Sequence, residues 1–316
     1  MNDVTCSKEI SSPEITIAIT SRNRADSLLR CLLSLGHLAP LALEILVVDD
    51  GSEEPFETYI KSHIPADFPW PIEIRRHNPS TGYIPARNEL NTAAQSSFIL
   101  CLDDDTCILK NNGIAEAIGV MRSHPEAACI ALMQTEADGT PRAAYNQPCA
   151  SEVPCFTATF LGYGHILRKE AFLKAGPYRE LFFFYREEME MSKRLHDAGY
   201  EILYLPQARV AHLVDSRGRD ERRHLRFNAR NSCFDAIYNE PLPMALLSVP
   251  ARILNYIRWR GVPTKYYNFS DAGGVQWLIR EIVVNLPAIW KERKPLKWST
   301  YRKWKRLQRE KPEFPL

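Results

Sequence analysis

The chain of 316 residues lacks the usual marks of export, membrane insertion and thiolate metal binding. Its opening stretch, MNDVTCSKEISSPE, has no basic start followed by an apolar core, so it does not read as a signal peptide. No apolar run reaches the roughly 18–20 residues that a membrane span needs. The nearest, Pro241 to Ile257, is broken by Pro243, Pro250 and Arg252. Of the eight cysteines, none forms a CxxC pair; they are scattered, several within apolar runs. They read as buried free thiols rather than disulfides or zinc ligands, which favours a reducing compartment. Formal net charge is only +2 and no nucleic-acid motif is present, so nucleic acid is not expected as a partner. The first apolar strand is followed by Ser21-Arg22-Asn23-Arg24, where a dinucleotide-binding G-x-G-x-x-G would need glycines. Internal repeats and low-complexity tracts are also missing.

What remains is an ordinary globular composition, 45% hydrophobic and 25% charged, with length enough for one large domain or two. Residues 1–13 read as a disordered lead-in. Strands and helices then alternate. Ile15 to Thr20 is a β-branched run, and Leu28, Leu29, Leu32 and Leu33 share one helical face. Leu43 to Val48 is a second strand, Glu53 to His63 a helix, Ile72 to Ile74 a short strand, Ile84 to Ala94 a helix and Phe98 to Leu102 a fourth strand. Continuous apolar strands separated by helices predict a mostly parallel sheet covered on both faces. From Pro141 to Phe160 the pattern predicts loop and short antiparallel strands. Helices follow over Arg168 to Ala175 and Glu187 to Ala198, then a strand over Tyr200 to Leu205 stopped by Pro206. Past Asn239-Glu240-Pro241 the chain becomes helical, aromatic and basic.

Ligands of open parallel sheets bind outside the carboxyl ends of the strands. Two such ends carry acids here, Asp49-Asp50 and Asp103-Asp104-Asp105. Asp49-Asp50-Gly51-Ser52 also makes a good turn. Three adjacent carboxylates repel one another and gain from a cation, and hard oxygen ligands suit Mg²⁺ or Mn²⁺, ions that commonly bridge to phosphates. A solvated acidic turn is the plain alternative.

Four stretches resemble the large family 2 glycosyltransferases of GT-A fold, over about residues 14–240: Ile15 to Arg24 with its T-x-N-R-like loop, Val47-Val48-Asp49-Asp50-Gly51-Ser52, Leu102-Asp103-Asp104-Asp105 as a D-x-D motif, and Phe184 to Leu195 followed by Ala198-Gly199-Tyr200. The resemblance implies a Rossmann-like GT-A domain, 14–240, with a nucleotide-binding half over 14–110 and an acceptor-binding half over 111–240. A helical extension over 241–316 would follow. It implies an inverting, metal-dependent transfer of a sugar from a nucleoside-diphosphate sugar to a saccharide or lipid-linked acceptor in polysaccharide or glycoconjugate synthesis. Thr20 and Arg22 would line the base pocket, Asp50 would accept from the base, and Asp103 and Asp104 would contact the donor, Asp104 through ribose or metal. Asp105 would ligate Mn²⁺ or Mg²⁺, with His212 as a further ligand or a structural histidine. Gly162-Tyr163-Gly164 would let backbone approach the donor sugar, or be an ordinary turn. Arg87-Asn88 reads as capping and packing or as substrate contact.

The family's base is the second acid of an E-D pair, here Glu188, a Glu where Asp is usual; Glu187 could share the work. Glu190 replaces another usual Asp. Arg230, in the arginine-dense stretch Arg217 to Arg230, would reach the donor diphosphate or a lipid-phosphate acceptor, or the stretch is a solvated basic loop. In the C-terminal segment, apolar Trp277, Leu278, Ile282, Val283, Leu286 and Trp290 precede a run of Lys, Arg and Trp. Residues 277–311 fit either an interfacial helix on an anionic leaflet or a helix packed on the domain. The expected location is the cytoplasm, at the inner face of the membrane in the first case. Two other readings stay open: a GT-A-like module that binds sugar nucleotides with weak turnover, and a nucleotidyltransferase, against which the missing Gly-rich loop counts.

Overall fold

The computed structural model describes residues 13–215, 217, 220–260 and 271–315. The expected lead-in lies, but for Pro13, outside the described residues. The first half runs β1 (Ile15–Ser21), α1 (Ala25–Ser34), β2 (Leu43–Asp50), α2 (Glu57–His63), β3 (Ile72–His77), α3 (Tyr83–Ala93), β4 (Phe98–Asp103), β5 (Thr106–Ile108) and α4 (Ile114–Ser123). Then come β6 (Ala127–Thr135), β7 (Cys155–Phe156), β8 (Gly164–Arg168), α5 (Lys169–Ala175), α6 (Glu187–Asp197) and β9 (Glu201–His212). Four helices close the chain: α7 (Glu221–Asn239), α8 (Leu242–Arg260), α9 (Gly274–Lys291) and α10 (Trp298–Arg309).

The strands form one mixed sheet in the order β3-β2-β1-β4-β8-β6-β9-β5, with β7 on β9. The pairs β1–β2, β1–β4 and β2–β3 are parallel, whereas β8 runs antiparallel to both β4 and β6. Every residue of β1 is buried. Its Ile15, Ile17 and Ile19 face one helical layer with Leu28 and Leu32, and Ala18 faces the other with Ile84 and Leu90. Two covered faces explain why the strand shows no alternation of apolar and polar residues. All seven described cysteines are free thiols, and Cys149 and Cys155 bring their sulfurs within 3.1 Å.

Two elements differ from the sequence expectation. Helix α2 starts at Glu57, not Glu53, because Pro55 disfavours helical backbone at the residue before it. Strand β9 is not stopped by Pro206 but runs to His212. Its register on β6 jumps from Leu132↔Leu205 to Met133↔Arg209, so Pro206-Gln207-Ala208 form a bulge without ladder partners. Proline has no N–H to contribute, so a bulge is where a strand tolerates it. Gly113, at φ +64°, makes room for the bulge, since a β-carbon there would run into the Gln207 carbonyl. The extra turn of strand has a chemical result: it sets His212 opposite Thr106, next to Asp105.

Candidate active site

The acidic triplet straddles a turn. Strand β4 ends at Asp103 and β5 begins at Thr106, so Asp104 and Asp105 form the turn between them and the three carboxyls meet different partners. Asp104 is buried, accepting from Ser21 Oγ at 2.7 Å and from Arg24 Nη1 at 3.1 Å. Burial pushes its carboxyl up to about 6, against the pull of Ser21 and Arg24. Asp105 accepts from Asp215 N at 2.7 Å and pairs with His212 Nε2 at 3.1 Å. Burial works upward on it as well, but His212, the Asp215 amide and Arg24 hold it below the ordinary carboxylate value. Asp103, half-exposed, accepts from Arg87 Nη2 at 2.9 Å and from Tyr83 Oη at 3.5 Å.

Asp103, Asp105 and His212 each offer a ligand atom, and these lie within 4.8 Å of one another. Two carboxylates and an imidazole suit Mn²⁺, and with less preference for the nitrogen Mg²⁺. The histidine is braced for such a role. Its ring stacks on Tyr163 at 5.4 Å and 21°, and its Nδ1 meets the Gln134 side-chain amide. The Gln134 backbone is in turn fixed by Gln147, which accepts from its N–H at 2.9 Å and donates to its carbonyl at 2.7 Å. The Gln134 atom at Nδ1 is its amide nitrogen, and together with the Tyr163 stack it holds the ring with Nε2 turned toward Asp105.

The second acidic group stands at the start of α6. The preceding loop holds three residues in the left-handed region, Phe183 (φ 61°), Tyr185 (φ 70°) and Arg186 (φ 70°). Side chains there prefer other backbone, so something must fix the loop. Asn231 does so by donating to the carbonyls of Phe182, Phe184 and Tyr185 at 2.9, 2.7 and 2.7 Å. Arg230 adds bonds to the carbonyls of Leu181 and Phe182. The loop delivers Glu187 buried and Glu188 half-buried. A β-carbon on Gly162 would collide with Glu188 Oε1, so the carboxylate occupies the space a side chain would fill. Arg87 links this acid to the triplet, since its Nη1 donates to Gly162 O at 3.1 Å while its Nη2 binds Asp103. Burial raises both glutamates, Glu187 far above the ordinary value because the Glu188 charge adds to it. Glu187 Oε2 has no hydrogen-bond partner.

Of the residues expected at the site, Asp103, Asp105, His212, Glu187, Glu188 and Gly162 come together. Thr20 lies beside Asp103 in the β1–β4 register, its buried hydroxyl without a partner. Others are placed differently. Arg22 is exposed, and its neighbour Arg24 supplies the cation at Asp104 and Asp105. Asp50 accepts from Ser80 Oγ, Thr81 N and Gly82 N at 2.7, 2.8 and 3.0 Å, which clamps the loop before α3. Gly164 sits within β8, where its small size admits Val210 at 3.0 Å from a would-be β-carbon; it packs strands rather than lining a cleft. Arg230 is turned to the loop carbonyls and to Glu281 at 3.1 Å, because it is buried on the inner face of α7. Glu190 is likewise internal, bonded to Arg179 and Arg194. Arg24, Tyr83 and Gln134 received no site role from the sequence, since only the folded register brings them to the acids, and Arg87, read there as packing or substrate contact, is bonded to Asp103.

Residues 16–185 match the model of glycosyl transferase family 2. The chain is 28% identical over 213 residues to the pre-mycofactocin glycosyltransferase of Mycobacterium tuberculosis, covering 63% of this chain and 42% of that protein. It thus spans about two fifths of the length of that relative. It is 38% identical over 61 residues to the N-acetylglucosaminyl-diphospho-decaprenol L-rhamnosyltransferase of the same organism, 19% of this chain and 20% of that one. The fold resembles the mannosyltransferase PcManGT from Pyrobaculum calidifontis, solved with GDP-Man and Mn²⁺, at a TM-score of 0.56 and 15% identity over 94% of this chain and 84% of that one. It also resembles S. aureus TarS 1-349, at a TM-score of 0.56 and 12% identity over 92% and 91%. These neighbours are GT-A glycosyltransferases, and with the family model covering more than half of its residues, the chain belongs to glycosyl transferase family 2.

Proposed function

We propose that the protein is an inverting, metal-dependent glycosyltransferase that uses a nucleoside-diphosphate sugar and a saccharide or lipid-linked acceptor. The observation that carries this reading is the single arch from Glu188 through Gly162 and Arg87 to Asp103, which puts a raised carboxyl beside the cation-ready acids.

Asp103, Asp105 and His212 would hold Mn²⁺ or Mg²⁺, which when bound offsets negative charge on the donor diphosphate. Arg87 keeps Asp103 aimed, and Gln134 keeps the His212 ring oriented toward Asp105. The Thr20 hydroxyl, unpartnered at the end of β1, is free to bond the nucleotide. An acceptor hydroxyl attacks the anomeric carbon from the face opposite the diphosphate. The new C–O bond forms as the old one breaks, the electron pair leaves with the nucleoside diphosphate, and the hydroxyl proton passes to the Glu188 carboxylate. Buried neighbouring acids do not both ionise readily. Glu187 keeps its proton, and Glu188 is left as a base of raised strength.

Relatives and neighbours named for sugar transfer, one of them solved with a sugar nucleotide and Mn²⁺, support the reading. Glu188→Gln is expected to lower the transfer rate by about 10²–10⁴-fold while nucleotide binding stays within a factor of two or so. The donor is first found by thermal shift with a set of nucleotide sugars and Mn²⁺. Nuclear magnetic resonance of the product then reads its anomeric configuration. Near-normal turnover of Glu188→Gln, or retention of configuration, would defeat the proposal.

A further inference from the structure

Helices α8 and α9 pack on α7, yet each keeps an outer face bare. On α8, Leu242, Leu246 and Leu254 recur at helical spacing and are exposed, Leu246 by 67%. On α9, Ile279, Val283, Leu286 and Trp290 do the same, with Trp290 54% exposed. Each helix carries a proline inside, Pro250 and Pro287, and both prolines line a groove of about 870 Å³ between the two helices. Soluble surfaces rarely leave so many large aliphatic side chains contiguous without a partner.

The charges around this face have one sign. Helix α8 contains no Asp or Glu over Leu242–Arg260. The one acid of α9, Glu281, points inward to Arg230, and Glu292 just beyond pairs with Arg179. Arg280, Lys291 and Lys294 are exposed and, among the described residues, enter no ion pair. An apolar stripe with an exposed tryptophan and a cationic rim matches the headgroup boundary of an anionic leaflet. It matches a second copy of the chain poorly, because a two-fold interface would bring the same cations face to face. No described helix is long and apolar enough to cross a membrane, so the contact would be one-sided. Helix α10, for which the sequence left membrane contact or packing on the domain open, is packed: Tyr301, Trp304 and Leu307 are buried, with Trp304 and Leu307 against Ala158, Phe156 and Met189.

We propose that the α8–α9 face docks the protein on an anionic lipid surface, with the aliphatic stripes entering the acyl boundary and Arg280, Lys291 and Lys294 among the headgroups. The proposal does not depend on the chemistry argued above. Its test is sedimentation of the full chain with vesicles of phosphatidylcholine alone or mixed in equal parts with phosphatidylglycerol. The chain is expected to pellet with the mixed vesicles only, and Leu246→Glu/Val283→Glu is expected to weaken that binding at least about tenfold at unchanged melting temperature. If that variant folds poorly, Lys291→Ala/Lys294→Ala serves instead and must lose the preference for phosphatidylglycerol. Failure of the parent chain to pellet, or equal pelleting by these variants, would overturn the idea. So would a dimer in light scattering that Leu246→Glu/Val283→Glu separates, since a second copy would then cover the face.

Discussion

Gln134 touches no expected substrate, yet it holds the ring of His212 in place. Replacing it with alanine removes the partner of Nδ1 and lets the ring turn. Supporting residues of this kind typically change metal affinity by about 10- to 100-fold. Gln134→Ala is therefore expected to weaken Mn²⁺ binding by that factor in isothermal calorimetry, with His212→Ala weaker still. Glu187 makes a different statement. Its carboxyl titrates far above the ordinary 4.5, first because it is buried and then because Glu188 is next to it. The unfolded chain loses this proton near that value while the folded chain keeps it. Stability therefore drains away as pH rises past about 4.5 toward the folded value, and is untouched below it. Glu187→Gln should raise the melting temperature at pH 7 and leave it unchanged near pH 4. A gain of equal size at both would assign the effect to packing.

At the scale of elements, the loop before α6 depends on two neighbouring side chains of α7. Asn231 serves three carbonyls of a segment with three left-handed residues, and Arg230 shares the one of Phe182. Asn231→Ala leaves the carbonyls of Phe184 and Tyr185 without that donor and is expected to cost about 2–4 kcal/mol in denaturant unfolding, with a matching loss of turnover. Residue order along the chain announces some of this and hides the rest. Apolar runs ending in Asp50 and Asp103 mark strand ends facing a cleft, but the turn that parts Asp104 from its neighbours is not announced. Pro206 misleads because a proline reads as a stop, while its bulge is defined only by the register on β6. Arg230 reads as a phosphate binder because an arginine in a basic stretch does not reveal which side of its helix is buried.

For the whole molecule, buried ion pairs tie the C-terminal helices to α6 and to one another. Lys193 of α6 meets Asp235 of α7 at 2.6 Å and Arg226 of α7 meets Asp271 just before α9, while Glu190 within α6 takes Arg179 and Arg194. Burial alone would raise these carboxyls, but the cations outweigh it and hold Glu190, Asp235 and Asp271 below their ordinary values. The sign is thus opposite to that of Glu187. This stability is complete above the unfolded carboxyl range and is lost as pH falls through the lower folded values. Melting temperature, followed by circular dichroism, should drop steeply below about pH 4. The α7–α9 layer should exchange its amide hydrogens before the sheet does.

Gly162 and Glu188 share one volume. The longer acid reaches the space that a methyl group at 162 would claim, so position 162 is held to glycine while the carboxylate stays there. An aspartate at 188, shorter by one methylene, would vacate that volume and let alanine or serine enter at 162. In a collection of descendants the two positions should therefore change in step, and the identity of one becomes a reading of how far the other extends.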